Sequence, residues 1–380
     1  MNLKRTPLYE THVALGGRMV EFGGWEMPVQ YSGILDEHNA VRNAAGLFDI
    51  DHMGQFEVTG KDALPYLQHL LTADISKLVL NEAGYAIMCY ADGTVVDDTF
   101  VYCLAGKTKT EIKYMVVVNA SNKEKDFAWM NAHRGGFRVE LEDISDRYYM
   151  LAFQGPKAEE VLQPLESFDL AKIKYHHARE FKIGTPALAG GAREDKGLIA
   201  RTGYTGEDGF ELFVPFAHGK HVWDAILEHG KAAGVKPIGL GARDSLRFEA
   251  KMALYGHEID AHTSPIEAGL AWACDLNKMF IGRDCLLKRK LEGVAKKLVG
   301  FEMIDRGIAR KDYEIQKDGN TIGIVTTGMF APTLQKNLGL GFVAPEFAAI
   351  GTEIQVVVRD NPLKAQIVKT PFYANRARGK

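Results

Sequence analysis

The C-terminal part of the chain is built from short β-rich runs, and this pattern restricts the fold more than any other feature of the sequence. The runs are separated by Gly, Asn and Asp turns and cover residues 298–303, 321–326, 338–343 and 353–358. Short strands at regular spacing, joined by tight turns, are typical of a small antiparallel barrel or a jelly roll. We therefore predict a C-terminal β-domain over 286–380, after a boundary near 277–297.

Ahead of this domain, helical and strand patterns alternate irregularly. Helical spacing of apolar residues predicts a helix over 34–45, with Ser32 as its cap, and another around Leu67. Strand-like runs cover 54–58, 86–90, 95–102 and 114–119, and a second mixed group follows from 148 to 227. The pattern favours an α+β protein over a strict βαβ repeat.

The composition is that of a water-soluble globular protein of two or three domains, with 380 residues, 46% hydrophobic and 25% charged. A net charge of -3 without a long Lys/Arg block argues against a nucleic-acid partner. No apolar run reaches the roughly 18 residues of a membrane span. The four cysteines form no C-x-x-C pair, so no zinc site or disulfide framework is predicted. We expect a metal-free cytoplasmic protein, or a mitochondrial one that has lost a transit peptide.

Two adjacent carboxylates, Asp97 and Asp98, lie within the strand-like run at 93–102. Because strand side chains alternate between faces, Asp98 is expected beside Val96, Phe100 and Tyr102. Asp97 is expected on the other face, with Val95, Thr99 and Val101. A carboxylate among aromatic residues is costly unless it is paired, and its pKa can be adjusted for chemistry. Most such aspartates are structural, so the run alone leaves both interpretations open.

The segment 201–212 places three glycines around charged and aromatic residues and then enters a strand that carries Glu211. Such glycines let the backbone turn sharply or approach a ligand. A glutamate held on a strand can accept two parallel N–H bonds, as the 2-amino-4-oxo edge of a pterin would donate them. The alternative is that Glu211 faces water.

The segment 238–244 superficially has the glycines of a dinucleotide loop, but the third glycine is missing. A helix is predicted over 243–254, and Arg243 in its first turn could meet a carboxylate ligand or form a surface salt bridge. His52 has no metal-ligand companion at a suitable spacing, Met53 suits a core or a pocket wall, and Asn119 suits a helix cap or a ligand contact.

The order of these segments resembles the T-protein family of the glycine cleavage system, the tetrahydrofolate-dependent aminomethyltransferases. The resemblance extends over nearly the whole chain and is carried by TPLY at 6–9, FGGWEMP at 22–28, HMG at 52–54, VDD at 96–98, FQGP at 153–156, and the segments 202–211, 239–244, 264–265, 269–270, 307–310, 326–334 and 369–373. One departure is Asp51, where the family usually has serine.

The resemblance implies an α+β fold of three domains around a central folate channel. The folate-binding region would cover 1–285, as two intertwined domains of roughly 1–52 with 145–285 and 53–144, and the barrel or jelly-roll-like domain 286–380. By position, the family's catalytic carboxylate falls on Asp98 and the residue that grips the pterin on Glu211. Further folate contacts fall on Met53, Tyr85, Tyr102, Asn119, Tyr204, Arg243 and a C-terminal arginine, either Arg376 or Arg378, of which Arg376 is chosen.

The reaction implied moves an aminomethyl group from the dihydrolipoyl arm of a partner H-protein to tetrahydrofolate as co-substrate. It yields 5,10-methylenetetrahydrofolate, ammonia and reduced lipoyl H-protein. Two rival functions on the same scaffold are a folate-dependent O- or S-demethylase and a non-enzymatic folate-binding protein of iron–sulfur maintenance. A dinucleotide-binding oxidoreductase would rest on the glycines near 239 alone.

Overall fold

A computed structural model describes residues 3–106, 112–182 and 196–377. Within them the helices are α1 (Tyr9–Ala14), α2 (Ile34–Asn43), α3 (Ala63–Leu70), α4 (Lys123–Ala132), α5 (Ala158–Leu162), α6 (Gly219–Gly230), α7 (Leu240–Glu249) and α8 (Arg283–Glu292). The strands are β1 (Arg18–Phe22), β2 (Trp25–Gln30), β3 (Gly46–Asp49), β4 (Gly54–Thr59), β5 (Ala83–Cys89), β6 (Val95–Ala105), β7 (Ile112–Val118), β8 (Glu140–Asp143), β9 (Tyr148–Gln154), β10 (Ala178–Lys182), β11 (Lys196–Ala200), β12 (Gly209–Pro215), β13 (Lys236–Pro237), β14 (Lys297–Met303), β15 (Glu314–Lys317), β16 (Asn320–Ala331), β17 (Lys336–Val343), β18 (Glu353–Val358) and β19 (Asn361–Val368). None of the helices in the described part of the chain is long and apolar enough to cross a membrane.

Two sheets pack face to face in the first part of the chain. One has five strands in the order β5-β6-β7-β4-β8, and the other has six in the order β10-β11-β12-β9-β3-β13. In chain order, β3 of the six-stranded sheet precedes the strands of the five-stranded sheet, and β9 to β13 follow them. Their shared core brings Tyr102 and Val117 of the first sheet against Phe48, Met150 and Phe213 of the second.

Helices cover the outer faces of both sheets. Trp223 and Ile226 of α6 are fully buried against the six-stranded sheet. Leu67 of α3 and Met130 of α4 are buried against the five-stranded sheet. The result is four layers, and it confirms the α+β prediction.

Strands β14 to β19 close into a barrel in the order β14-β17-β16-β15-β18-β19. The predicted C-terminal barrel is thus confirmed, although β15 and β19 were not among the predicted strands. The domain limits themselves stay a prediction, since the sheets show only which strands associate.

Two local predictions are wrong. The residue before α2 is Gly33 rather than Ser32, and Oε1 of Glu37 accepts the N–H groups of Tyr31 and Gly33. Helix α7 ends at Glu249, well before Leu254, and Lys251 follows in the left-handed conformation with φ 55°.

Candidate functional site

Asp98 lies on the face of β6 that meets the six-stranded sheet. It shares this face with Phe100 and Tyr102, as predicted. Val96 was predicted on the face of Asp98 and Val95 on the face of Asp97. Both assignments are wrong, because a β-bulge interrupts the pairing of β6 with β5. Cys89 pairs with Val95 but Met88 with Asp97, so Val96 is the extra residue. Val96 consequently packs in the core on the far side of the sheet.

Asp98 is enclosed by protein but only partly shielded from solvent, as at the floor of a cleft. The hydroxyl of Tyr85 donates to Oδ2 at 3.1 Å, and Nδ2 of Asn119 donates to Oδ1 at 2.7 Å. Burial and the neighbouring carboxylate of Asp97 raise the pKa of Asp98 to about 7, against the effect of these two hydrogen bonds. Asp98 can therefore both release and accept a proton near neutral pH.

Asp97 is fully buried on the other face of β6. Its carboxylate accepts hydrogen bonds from the backbone N–H of Asn119 at 3.0 Å, from Nδ2 of Asn119 at 2.9 Å and from Nδ2 of Asn122 at 2.6 Å. Asn119 makes no side-chain cap, and its amide instead joins the two carboxyl groups.

Glu211 lies on β12 with one oxygen fixed and the other available. Oε2 accepts from the hydroxyl of Thr202 at 2.5 Å and from that of Tyr102 at 3.2 Å. Oε1 receives no hydrogen bond from any described residue, and it is not sealed from solvent. Burial raises the pKa of Glu211, which the hydrogen bond from Thr202 and the charge of Arg243 oppose. Glu211 therefore presents an acceptor to the cleft.

Arg243 enters the cleft from the first turn of α7. Its guanidinium lies 3.9 Å from Sδ of Met53 and 4.9 Å from the ring centre of Tyr204. Among the residues that the structure describes, no carboxylate pairs with it, and burial lowers its pKa. The hydroxyl of Tyr204 donates to the carbonyl of Ala253. An arginine without an ion-pair partner is a recognition group for an anion or a carbonyl.

Direct contacts link these groups. Tyr102, on the same face of β6 as Asp98, donates to Glu211, and the guanidinium of Arg243 lies 4.9 Å from the ring centre of Tyr204. Burial raises the pKa of Glu211, of Tyr85 and of Tyr204; the charge of Arg243 opposes the shift of Glu211, and the charge of Asp98 adds to the shifts of the two tyrosines.

Arg376 lies apart from these contacts. It is exposed, its guanidinium lies 4.9 Å from the ring centre of Tyr373, and its backbone N–H donates to the carbonyl of Gly206. Arg378 lies outside the described residues.

Two glycines of the quoted motifs are required by close packing. A Cβ at Gly203 would lie 1.8 Å from Oε1 of Gln154, and one at Gly239 would lie 2.5 Å from the carbonyl oxygen of Val29. The glycines near 239 therefore bring α7 against β2, which is a reason for their presence that needs no dinucleotide.

Three residues that contribute to the site were not identified from the sequence. Thr202 fixes Glu211, Asn122 binds Asp97, and the exposed ring of Trp272 stacks on Tyr85 with 5.3 Å between ring centres. His52 stays neutral, because burial and Arg243 lower its pKa to about 3. Nothing in local sequence predicts which hydroxyl or amide a distant strand will meet.

The chain matches known protein families over nearly its whole length. The family model described as the GCVT N-terminal domain matches residues 8–278, and the glycine cleavage T-protein C-terminal barrel domain matches 296–374. Aminomethyltransferases of Desulfitobacterium hafniense and Caldanaerobacter subterraneus are both 50% identical, over 98% of this chain and 98% and 96% of their own lengths.

A solved structure supports the same assignment. The crystal structure of glycine cleavage system aminomethyltransferase T from Bartonella henselae has a TM-score of 0.90 and 31% identity, over 99% of both chains. Matched identity, length and fold leave one conclusion: the chain belongs to the aminomethyltransferase family, the T-proteins of the glycine cleavage system.

Proposed function

We propose that the protein transfers the aminomethyl group of an aminomethyl-dihydrolipoyl H-protein to tetrahydrofolate. The products are 5,10-methylenetetrahydrofolate, ammonia and dihydrolipoyl H-protein. The observation that carries the proposal is Asp98, a carboxyl group with a pKa of about 7 in a cleft that also holds an available acceptor on Glu211 and an unpaired guanidinium on Arg243.

Glu211 is assigned to the pterin edge of the folate. Thr202 and Tyr102 hold Oε2, so the carboxylate cannot rotate freely, and Oε1 is directed to accept an N–H. Hydrogen bonds to a charged acceptor contribute about 1.5–3 kcal/mol each, which makes Glu211 a major source of folate affinity.

Arg243 is assigned to an anionic or carbonyl oxygen of the folate, with Met53 and Tyr204 packed against its guanidinium. A half-buried cation gains more from an anionic ligand than an exposed one, because less water screens the interaction. Arg376 is kept as a more remote folate contact that would need the substrate to reach Tyr373.

Asp98 is assigned to the proton that must move when a folate amine becomes a nucleophile. A group whose pKa is close to the working pH accepts and returns a proton most effectively. Tyr85 and Asn119 fix the carboxyl orientation through one hydrogen bond to each oxygen. Holding the amine beside the sulfur-bound carbon supplies the entropic part of the rate enhancement.

The deciding experiment supplies aminomethylated H-protein and tetrahydrofolate and measures ammonia and 5,10-methylenetetrahydrofolate together. We expect the two products in equal amounts. A matched reaction replaces the H-protein with small O- and S-methyl donors and measures methylated folate. Methyl transfer without ammonia release would establish a demethylase, and folate binding without either reaction would establish a non-enzymatic role.

The cytoplasm is the proposed location, with H-protein as the partner. Fractionation of the source cells, with both proteins detected immunologically, tests this, and recovery with the membrane pellet would contradict it.

A further inference from the structure

A third carboxyl group, Asp126, lies behind the site on α4. It is 0% exposed, and no N–H or O–H donor among the described residues reaches either of its oxygens. Nζ of Lys125 is 3.9 Å from Oδ1, beyond hydrogen-bonding distance, and donates instead to the carbonyl of Val96 and to the hydroxyl of Tyr255. An ionised carboxylate in such a position would be strongly destabilising.

Asp126 does have an acidic neighbour, since Asp97 lies close enough to add, through its charge and a side-chain hydrogen bond, to the burial that raises the pKa of Asp126. Two carboxyl groups can share a hydrogen bond only when one of them holds a proton. The oxygens of Asp97 already accept three N–H bonds from Asn119 and Asn122, whereas no N–H or O–H donor among the described residues reaches those of Asp126. The proton is therefore expected on Asp126.

We infer that Asp126 is a carboxylic acid that stays protonated at neutral pH and whose O–H donates to Asp97, and that it is a positioning residue which holds the carboxyl group of Asp97 in place beside Asp98. The part that concerns Asp98 rests on the proposed function. The protonation of Asp126 does not, because it follows from burial and contacts alone.

The charges around Asp126 agree with this assignment. Burial, and then the charge of Asp97, raise its pKa to about 11, and Lys125 on the same helix opposes the shift only in part. The charge of Asp98 adds to the same shift, and the phenol groups of Tyr90 and Tyr255 also lie nearby, with pKa values that burial raises. The charge of Asp97 in turn adds to the burial that raises the pKa of Asp98.

Infrared spectroscopy tests the protonation without any substrate. At about pH 8, a unit above the pKa of Asp98, the parent protein should show the carbonyl stretch of a buried carboxylic acid, and Asp126→Asn should lose it. Asp51→Asn is the matched control, because the pKa of Asp51 is raised to about 9 and its band should disappear separately. An unchanged spectrum in folded Asp126→Asn would overturn the assignment.

The pH profile tests the positioning role. Asp126→Asn keeps a neutral N–H donor to Asp97, so the midpoint of the rate against pH should stay within about 0.3 units of the parent value. Asp126→Leu removes the donor and frees the carboxyl group of Asp97 to move relative to Asp98, so the midpoint should shift by clearly more than it does in Asp126→Asn. If Asp126 were ionised, Asp126→Asn would remove a charge near Asp98 and lower the midpoint by about a unit, which would refute the inference.

Equilibrium unfolding gives a readout for variants that are inactive. A native Asp126 that keeps its proton, while the unfolded chain loses it, makes stability fall as pH rises from about 4 towards 11. Asp126→Asn should therefore lose less stability between pH values near 6 and 9 than the parent protein. An equal loss in both would refute the inference, and absent aminomethyl transfer would affect only the proposed function.

Discussion

At the scale of single residues, the paired aspartates differ because their donors differ. Asp97 is fully buried and holds three N–H bonds, whereas Asp98 has two hydrogen bonds and opens to the cleft. Asp97 is therefore held in place by its donors, and Asp98 is the group that can meet a ligand.

Asp98→Asn should retain folate binding and lose turnover by about 10²–10⁴-fold, the usual contribution of a general acid–base group. The amide oxygen can still accept from Nδ2 of Asn119 while its NH2 group donates to the hydroxyl oxygen of Tyr85, so the local fold should persist. Stopped-flow formation of 5,10-methylenetetrahydrofolate and folate titration by fluorescence measure the two effects. Turnover within threefold of the parent would refute the role of Asp98.

If Asp98 accepts the proton, the single-turnover rate should rise with pH and level off above about 7. The sign follows from the raised pKa, because below it the group is protonated and cannot act as a base. The rate should fall about tenfold per unit on the acid side. Asp98→Asn should show no such midpoint, and a midpoint retained in that variant would assign the titration to another group.

Glu211→Gln should weaken tetrahydrofolate binding by about 10–100-fold, since a hydrogen bond to a charged group contributes about 1.5–3 kcal/mol. Calorimetric titration of the folate measures the change. Glu180→Gln serves as the control, because Glu180 is an exposed partner of Lys196. Equal affinities in both variants would remove Glu211 from the folate site.

At the scale of secondary structure, two β-bulges aim side chains that regular alternation would send elsewhere. The bulge at Val96 turns that side chain to the far core and leaves Asp98 facing the cleft. A second irregularity lies between Val325 and Thr327, and there the consecutive hydroxyls of Thr326 and Thr327 both donate to Oε1 of Glu258.

Gly239→Ala should destabilise the protein by about 1–3 kcal/mol, because the new Cβ would overlap the backbone of Val29. Folate affinity should fall as well, since α7 must shift and Arg243 is in its first turn. Urea unfolding and folate titration measure both changes. Gly135→Ala is the control, as a Cβ there meets nothing within 4 Å, and equal behaviour of the two variants would contradict the packing argument.

At the scale of the whole molecule, hydrogen bonds to a buried ion pair attach the barrel to the first part of the chain. Nη1 of Arg247 donates to Oε2 of Glu258 at 2.7 Å, and Glu258 also accepts from the barrel residues Thr326 and Thr327. Such buried ion pairs fix the orientation of the barrel relative to the first part of the chain more than they add net stability, because the cost of desolvation offsets much of the attraction.

Glu258→Gln should destabilise the protein by about 1–3 kcal/mol, because Arg247 loses its buried partner but keeps its ion pair with Asp244. The double variant with Arg247→Met should recover part of that loss. Urea unfolding of the four proteins of this cycle measures the coupling. Glu302→Gln, whose pair with Lys336 is largely exposed, is the control and should change stability little.

Sequence pattern alone was sufficient for the α+β class and the C-terminal barrel, whereas the choice of Asp98 came from the family resemblance and stays a prediction. Periodicity reports which face of an element is apolar, and that is a local property. It could not locate the bulge at Val96, which arises from pairing with β5, nor the end of α7, which depends on the backbone at Lys251.

Only the tertiary structure decided the environment of the site residues. It placed Thr202 on Glu211, left Arg243 without an ion-pair partner among the described residues, and set Asp126 behind Asp97. Hydrogen bonding, desolvation and charge coupling act between residues far apart in the chain, so no local pattern encodes them. The sequence gives the residue types. Packing determines which of their hydrogen-bonding groups and charges have partners, and how their pKa values are shifted.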